Sequence, residues 1–447
     1  MKGEQVFPTL FSFLIRAVDE FPDERHGGKT RYSMQDIVRS AFAVFFLQSP
    51  SFLARQTLMQ QARGMNNAAT LFGVSVLPSD NQIRNVIDPV SPKYLQGVYQ
   101  STFEYLHSQG VIERFRSFSQ SLLIAIDGTQ YFGSQTIHCD SCTVANHRDG
   151  RTTYSHTVLM PAIVKPGCPQ VIPLEPEFIV PQDGHNKQDC EQTAAIRWIS
   201  SFGERYSDYG ATIVADDLYA HQPFIEKLHE AELQYILTAK PPSHKYLYQE
   251  IESLERLGAV QHVEQRKRQG KRLLTYHYRY LNEVTLTASA QSLTVNWVEL
   301  SITDEAEHTV FGGSWITSYL ITEENVGELV EAGRCRWKIE NEDYNTLKTK
   351  GYHFEHNFGH GKANLAATLL SLNNIAFLFH TVLELLDEQC ARIRAKLPRR
   401  DTYFQHIAAL TEYLCFADWS ALEAFMLNAL EHGPAPPLDP SKVITAP

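Results

Sequence analysis

Three acidic residues, Asp127, Asp216 and Glu340, stand at positions from which they could hold divalent cations. Asp127 ends the apolar run "SLLIAID", and Asp216 ends the run "ATIVAD". A hydrophobic strand that ends in a carboxylate places that group at the carboxyl edge of a sheet, where open α/β sheets form their sites. An aspartate after a strand is also common as a turn or capping residue. Asp217, the alternative to Asp216, would point the other way if the strand continued.

The third acid lies in a segment rich in charge, "GRCRWKIENEDYNTLKTKG". On a helix, Arg336 and Glu340 are four residues apart and share a face. Trp337 and Ile339 then lie off that face, toward packing. Three carboxylates, from two strand ends and one helix, are what two divalent cations need for in-line phosphoryl transfer, and Mg²⁺ prefers such oxygen ligands. Arg336 and Lys348 would supply positive charge for the phosphate. The other interpretation is an exposed helix stabilised by ion pairs at i,i+4 spacing.

The apolar pattern predicts which elements position these groups. Ser33 and Asp36 form a capping-box-like start in a helical N-terminal region. Short apolar strands then alternate with helices, which is typical of an α/β domain with a mixed sheet flanked by helices. A stretch rich in Val, Thr, Tyr and Leu predicts a β-rich insertion, and long helices follow, with a Pro-rich tail that we expect to be mobile. The predicted divisions are residues 1–115, 116–257, 258–320, 321–390 and 391–447.

Bulk composition limits the classes of function. The net charge of −11 and the pI of about 5.9 argue against indiscriminate binding to nucleic acid. The seven cysteines are an odd number and do not look like a disulfide framework, which fits a reducing compartment. We see no apolar run that approaches the roughly 20 residues needed to cross a bilayer, and no signal peptide at the start. We therefore expect a cytoplasmic protein that does not interact with membranes.

Two local features could bind phosphate. The stretch "QRKRQGKRLLTYHYRY" combines cations with tyrosines, which can follow a phosphate backbone and stack on bases. The alternative is a solvated hairpin whose tyrosines face a core. The Gly-rich "FGHGKANLAATLL" leads into a helix, and a helix N-terminus attracts phosphate. The predicted phosphate-binding residues in these features are Arg266, Lys267, Arg268, Lys271, Arg272 and Lys362.

A possible zinc site lies in "HCDSCTVANH", which contains His138, Cys139, Cys142 and His147. The segment has no second CxxC pair, and its Cys-to-His spacing fits no common zinc finger. We therefore regard zinc here as the less favoured interpretation.

The acids and their surroundings resemble the signature of bacterial cut-and-paste DDE transposases of the insertion-sequence type. In that family the signature reads Tyr, two residues, Arg, three residues, Glu, six residues, Lys, and "RWKIE" here gives Arg336 and Glu340. "IDGTQYF" resembles the strand of the first aspartate, giving Asp127, and "VADDLY" resembles that of the second, giving Asp216. The resemblance covers roughly residues 116–385 and implies a ribonuclease-H-like catalytic domain interrupted by a β-strand insertion.

Two positions depart from the family signature. The Tyr position is Gly333, and the Lys position is Leu347, with Lys348 one residue later. At about 100° per residue, Lys348 sits about 80° around the helix from Glu340. Either the helix carries a local bulge or Glu342 takes part of the role, so Glu342 is the alternative third carboxylate.

The resemblance implies strand cleavage at the ends of an insertion sequence and strand transfer into a target DNA. Asp127, Asp216 and Glu340 would hold two Mg²⁺ ions, for which Mn²⁺ can substitute. Residues 1–115 are a candidate for recognition of the DNA ends, and the alternative is a helical cap that packs on the next domain. A homodimer on DNA is implied because both ends must be held together. The implied location is the bacterial cytoplasm, at the nucleoid when the protein is bound to DNA.

Two other functions remain open. A catalytically inactive DNA-binding or regulatory protein derived from a transposase would not need the acids. A glycosidase could use Asp127 and Asp216 as paired acids, but the third carboxylate with its flanking cations would then be idle. We favour the transposase because it uses all three acids.

Overall fold

The computed structural model describes residues 6–25, 30–49, 62–180, 189–270 and 272–433. The chain divides into a helical unit, Met1–Glu104 with Thr346–Pro447, and a second unit, Tyr105–Asn345. We predicted divisions at residues 115, 257, 320 and 390, so this division differs. The C-terminal helices fold with the N-terminal ones, which a linear reading of the sequence cannot anticipate.

The second unit contains strands of one large and one small sheet. In chain order they are β1 (Leu122–Ile126), β2 (Gly128–Ser134), β3 (Thr143–Asn146), β4 (Thr152–Leu159), β5 (Ala162–Val164), β6 (Ile172–Pro173), β7 (Glu177–Ile179), β8 (Ala211–Ala215), β9 (Gln234–Thr238), β10 (Gln261–Gln269), β11 (Arg272–Thr285), β12 (Thr294–Thr303) and β13 (Thr309–Thr317).

The core of the large sheet has the strand order β6-β5-β1-β8-β9. Strands β8 and β9 run parallel to β1, whereas β5 is antiparallel to β1 and to β6. Every residue of β1 and β8 is buried, as expected for central strands covered on both faces. This order and these directions are those of the ribonuclease-H-like fold, so the predicted fold class is confirmed.

The predicted β-rich insertion continues the same sheet. Strand β13 pairs antiparallel with β9, and β12, β11 and β10 follow outward, which gives nine strands in all. The small sheet consists of β2, β3, β4 and β7, with β4 in its middle. Strands β2 and β3 were not anticipated, because their residues are mostly half-buried or exposed and carry little apolar signal.

Helices of the second unit flank the large sheet. They are Val111–Phe115, Glu191–Asp208, Gln222–Glu230, Lys245–Arg256 and Val326–Arg334, followed by a π-helical turn at Ile339–Tyr344. Helix Glu191–Asp208 packs on β8, and helix Val326–Arg334 packs on β8, β9 and β12. Short 3₁₀ turns lie at Pro92–Leu95 and Phe118–Gln120, and helix Gln96–Ser108 spans the division between the units.

The helices of the helical unit are Val6–Asp19, Met34–Phe46, Ala62–Phe72, Asp80–Ile87, Asn345–Thr349, Leu365–Leu386, Glu388–Lys396, Arg400–Tyr413 and Trp419–His432. Of these, Asn345–Thr349 begins at the division between the units. The predicted helix start is correct: the Ser33 hydroxyl oxygen accepts a hydrogen bond from the Asp36 amide at 2.9 Å. Most of the predicted helix in "SPSFLARQTLMQQAR" and nearly all of the Pro-rich tail lie outside the described residues.

We expected no apolar run of the length needed to cross a bilayer, and this was wrong. Helix Leu365–Leu386 is long and apolar enough to cross a membrane by length and composition. Its apolar window is 83% buried inside the protein, however, and it carries the buried polar residues Asn373, Asn374 and His380. Within its own unit it packs on Met34–Phe46 and Glu388–Lys396, which is the behaviour of a core helix.

Candidate active site

Asp127 and Asp216 lie next to each other at one edge of the core sheet. Strands β1 and β8 are parallel neighbours, and Ile126 is paired with Ala215, so the two acids leave the sheet at the same level. The Asp216 carboxylate accepts a hydrogen bond from the Leu218 amide at 2.8 Å, which orients it. Both acidic side chains are half-buried.

Glu340 joins these acids through Arg336. The Nη1 atom of Arg336 lies 2.6 Å from Oε1 of Glu340 and 3.7 Å from Oδ2 of Asp127. The i,i+4 spacing places Arg336 and Glu340 on one face of the helix, as predicted, and this face is turned toward the end of β1. Arg336 therefore joins Asp127 to Glu340, and Asp216 lies on the other strand end beside Asp127.

The helix that carries Glu340 contains a π turn. The Asn345 amide donates to the carbonyl oxygen of Glu340, five residues earlier, within the segment Ile339–Tyr344. A π turn adds one residue to an α-helix and occurs frequently at functional sites. This is the local bulge that we offered as one explanation for the extra residue before Lys348.

A close helix-to-sheet contact explains the departure at Gly333. A Cβ atom there would lie 2.9 Å from Ile236 and 3.0 Å from Trp315, so a tyrosine does not fit. A different tyrosine reaches the site instead. The Tyr344 hydroxyl donates to the carbonyl oxygen of Asp127 at 2.5 Å, which ties the π turn to the end of β1.

Asp217, the alternative to Asp216, has a different role. Its carboxylate accepts hydrogen bonds from the Lys240 amide at 2.6 Å and from the Ser243 hydroxyl, and it lies 3.2 Å from Nε2 of His244. These contacts hold the turn that follows β9, so the neighbour that faces the acid cluster is Asp216.

Lys338 does not fit the alternative interpretation of this segment as an exposed helix stabilised by i,i+4 ion pairs. The Lys338 side chain is buried, and its Nζ donates to the carbonyl oxygen of Cys168 at 2.7 Å rather than pairing with Glu342. We also expected Trp337 to be packed, and this was wrong: its side chain is 44% exposed, whereas Ile339 is fully buried.

A fourth acid, Glu191, was missed by the sequence analysis. It begins helix Glu191–Asp208, and its Oε1 accepts hydrogen bonds from the Gly128 amide at 3.0 Å and from the Tyr219 hydroxyl at 2.5 Å. A Cβ at position 128 would overlap the Glu191 carboxylate, so the glycine after Asp127 makes room for it. The available signal was the pair "DG" at the end of a strand, which sequence reasoning treats as a turn.

The charge balance at this site is unusual. Burial raises the pKa of Asp127 to about 7, the carboxylates of Glu191, Asp216 and Glu340 act in the same direction, and Arg336 opposes them. Four acids and one guanidinium leave an excess of negative charge at the edge of the sheet. Carboxylate oxygens are the donors that Mg²⁺ and Mn²⁺ prefer, and Asp127, Asp216 and Glu340 are the residues that would hold such ions.

The raised pKa of Asp127 predicts a pH-dependent effect on stability in the absence of divalent cations. Because the folded-state pKa is above the unfolded one, the stabilising contribution is complete below about pH 4 and is lost as the pH rises through about 7. Replacing Asp127 with Asn removes this loss. We expect the variant to melt a few degrees above the wild type at pH 8, and the difference to shrink at pH 5. Thermal melts in chelator at the two pH values measure it; an equal difference at both would contradict the prediction.

A cleft adjoins the helix that carries Arg336. Its cavity volume is about 790 Å³, and its lining includes Lys240, Phe311, Trp315, Arg334, Arg336 and Trp337. The Arg334 guanidinium lies 4.5 Å from the centre of the Phe311 ring. Aromatic rings and cations are therefore combined beside Arg336, and the Trp337 ring is exposed.

The cationic hairpin formed by β10 and β11 is largely solvent-exposed. Arg266, Lys267, Arg268 and Arg272 are exposed, and Lys271 lies outside the described residues. Arg266 and Arg268 lie on one face of the hairpin and Lys267 on the other, because side chains alternate. Tyr276, Tyr278 and Tyr280 are buried, so the alternative reading of the tyrosines as core residues is correct and base stacking by them is excluded.

The other two predicted phosphate ligands lie in the helical unit. The Lys348 amino group lies 3.1 Å from the Glu355 carboxylate. The Lys362 side chain is exposed, but the amides before helix Leu365–Leu386 are already engaged. Asp88 accepts hydrogen bonds from the amides of Lys362 and Leu365 at 3.0 and 3.1 Å. The expected backbone site for phosphate at this helix N-terminus is therefore filled by Asp88.

The fold and the acid cluster together define a class of protein. A ribonuclease-H-like sheet with carboxylates at the ends of β1 and β8 and on a following helix is what the resemblance to DDE transposases implies. Residues 177–378 match the family model described as "Transposase DDE domain". This match agrees with the resemblance to DDE transposases. The match includes Asp216 and Glu340 and begins after Asp127.

The comparison with curated proteins gives no match. Among solved structures, the chain is similar to a "piggyBac transposase synaptic complex with hairpin DNA" determined by cryo-EM. The TM-score is 0.40 and the identity is 11%, over 98% of this chain and 81% of that chain.

Proposed function

We propose that this protein is a metal-dependent DNA transposase that cleaves strands at the ends of an insertion sequence and transfers them to a target. The observation that supports this most directly is the convergence of three acids: Asp216 lies beside Asp127 at the sheet edge, and Arg336 joins Asp127 to Glu340. The convergence occurs in a chain that carries a transposase DDE domain over residues 177–378.

The acids would bind the cations and the surrounding residues would orient the acids. Bound Mg²⁺ ions, or Mn²⁺ in their place, supply activation of the attacking oxygen and stabilisation of the leaving oxygen. Asp127, Asp216 and Glu340 are the residues that would hold these ions. Tyr344 and Glu191 fix the backbone on either side of Asp127 through its carbonyl oxygen and the Gly128 amide. Such fixed positions are what phosphoryl transfer requires, since its catalysis consists mostly of positioning and charge neutralisation.

The DNA strand would reach the acids along the cleft beside Arg336. Trp337 is exposed at this cleft and offers a surface on which a base can stack, and Arg334 and Lys240 offer positive charge to the backbone. The cationic hairpin lies on the insertion strands of the same unit and would contact flanking phosphates. Because both ends of the element must be held together, we propose that the protein acts as a homodimer on DNA.

Cleavage of labelled DNA tests this proposal. The substrate is a duplex that carries the sequences flanking the coding region, incubated with the full chain in Mg²⁺, in Mn²⁺ or in chelator. We expect strand cleavage only with a divalent cation. Binding without cleavage under all conditions would instead support a regulatory protein, and absence of both binding and cleavage would reject the proposal. Light scattering of the complex with end DNA measures the dimer.

The hairpin gives a separate prediction on DNA affinity. Replacing Arg268 and Arg272 with Ala is expected to weaken DNA binding and to lower the slope of log affinity against log salt by about 2, since each phosphate contact contributes about 0.9. Fluorescence anisotropy over a range of salt concentrations measures the slope. Arg256→Ala serves as the matched control, because Arg256 is exposed on the neighbouring helix outside the hairpin. An unchanged slope in the double variant would remove the hairpin from the interface.

A further inference from the structure

Two thiols and one imidazole form a second cluster, away from the acids, at the turn between β2 and β3. The Sγ atoms of Cys139 and Cys142 are 3.9 Å apart, and each lies 3.5 Å from Nε2 of His156. We propose that this cluster binds Zn²⁺ and that the ion stabilises the small sheet.

The distances are those that a tetrahedral zinc ion imposes on its ligands. With Zn–S bonds of about 2.3 Å and Zn–N bonds of about 2.0 Å, tetrahedral angles place two sulfurs about 3.8 Å apart and a sulfur and a nitrogen about 3.5 Å apart. The three distances between Cys139, Cys142 and His156 agree with these values to within about 0.1 Å. Three protein ligands leave one tetrahedral position for a water or a further ligand.

The backbone between the cysteines is arranged to present their sulfurs. The Cys142 amide donates to the carbonyl oxygen of Cys139 at 3.1 Å, which closes a tight turn. The Cys139 amide points at Sγ of Cys142 at 3.5 Å. The thiolate is the form of cysteine that binds metal. Binding would release the two thiol protons to solvent.

His156 is held by its surroundings in the orientation that the site needs. It lies on β4 opposite Phe132 of β2, and its side chain is 4% exposed. The imidazole stacks on the Tyr131 ring at 5.6 Å with an angle of 16° between the planes. A buried imidazole fixed beside two cysteine sulfurs is a typical ligand environment for zinc.

The ligands differ from those considered in the sequence analysis. The His147 ring bonds to Thr153 Oγ1 at 2.8 Å, and the His138 ring lies 3.1 Å from the carbonyl oxygen of Thr136. Neither belongs to the cluster described here. His156, fourteen positions after Cys142, takes their place because β4 returns alongside the turn. This pairing of strands is what the spacing along the chain did not show.

The position of the site suggests what the ion does. Strand β2 begins at Gly128, the residue directly after Asp127, and it pairs along β4. A zinc ion at the far end of these strands would fix the small sheet without contacting the acids. It therefore has a structural role in the proposal, and its loss would lower stability before it affected chemistry.

Metal analysis of the untagged full chain, purified in reducing buffer without chelator, tests the proposal. We expect one zinc per chain by mass spectrometry of the metals. Cys142→Ser and His156→Gln should each reduce the content at least about tenfold. The controls are Cys415→Ser, an exposed cysteine elsewhere, and the double variant His138→Gln with His147→Gln; both should keep the zinc.

Cobalt titration of the wild type decides the question even if the variants fail to fold. After removal of zinc, Co²⁺ should give the near-ultraviolet absorption band of two thiolate ligands and the visible bands of a tetrahedral ion. Absence of metal together with absence of these bands would overturn the proposal. So would a disulfide between Cys139 and Cys142 in protein kept under reducing conditions. None of these measurements involves DNA, so their failure leaves the proposed transposase function untouched.

Discussion

Replacing Asp216 with Asn is expected to lower the rate of DNA-end cleavage at least about 10³-fold while the affinity for the ends changes little. Asparagine keeps the size of the side chain and can still accept the hydrogen bond from the Leu218 amide. What it lacks is the negative charge, and a carboxylate ligand contributes several kcal/mol to the binding of a divalent cation and hence to the reaction. Asp127→Asn and Glu340→Gln should have the same effect for the same reason. Initial rates of cleavage and gel-shift titrations measure the two quantities.

The matched control for this set is Glu342→Gln. Glu342 lies in the same π turn and is half-buried, so the substitution removes one negative charge from the same segment. It should cleave at the wild-type rate. Asp217→Asn should lower thermal stability, because it weakens the contacts to the turn after β9. Full cleavage by a variant of Asp127, Asp216 or Glu340 would remove that residue from the site.

The second large effect is expected at Glu191. This prediction rests on the proposed transposase function. Replacing Glu191 with Gln should reduce cleavage about 10-fold to 100-fold, with the greatest loss at low Mg²⁺ concentration. The reason is that its carboxylate lies close enough to Asp127 to raise the pKa of that residue, and it also holds the Gly128 amide. Glutamine can keep the hydrogen bond but contributes no charge. Cleavage rates over a series of Mg²⁺ concentrations should show a shifted midpoint.

A second variant tests the same idea without removing any acid. Gly128→Ala adds a methyl group that overlaps the Glu191 carboxylate and forces it to move. The shift in the Mg²⁺ midpoint should therefore recur in Gly128→Ala. Glu204→Gln, an exposed substitution on the same helix, should behave as the wild type. Wild-type rates for Glu191→Gln at every Mg²⁺ concentration would show that Glu191 only fixes the backbone.

The convergence of the strand acids could be predicted because it depends on local rules. Asp127 and Asp216 each follow a short apolar run, and parallel neighbours bring such ends together. The i,i+4 relation between Arg336 and Glu340 is equally local. These rules, together with the family resemblance, led to the prediction of the three acids.

The remainder depends on contacts between distant parts of the chain. Glu191 lies near Asp127 because the helix that it begins starts beside Gly128. The two residues of this contact, Gly128 and Glu191, are 63 positions apart in the chain. The choice of Asp216 over Asp217 is fixed by the turn at Lys240 and Ser243. His156 joins Cys139 and Cys142 because of the β2–β4 pairing. A sequence without aligned relatives contains no direct record of such pairs.

The nine-stranded sheet also determines how freely the insertion can vary in evolution or in the laboratory. Strand β13 is the hydrogen-bonding partner of β9. Deleting the whole insertion would therefore leave β9 as an unprotected edge strand. Its unpaired amides and carbonyls could then recruit strands from other molecules. A shortened enzyme or a chimaera should therefore retain β13, and the exchangeable part of the insertion is its outer hairpin.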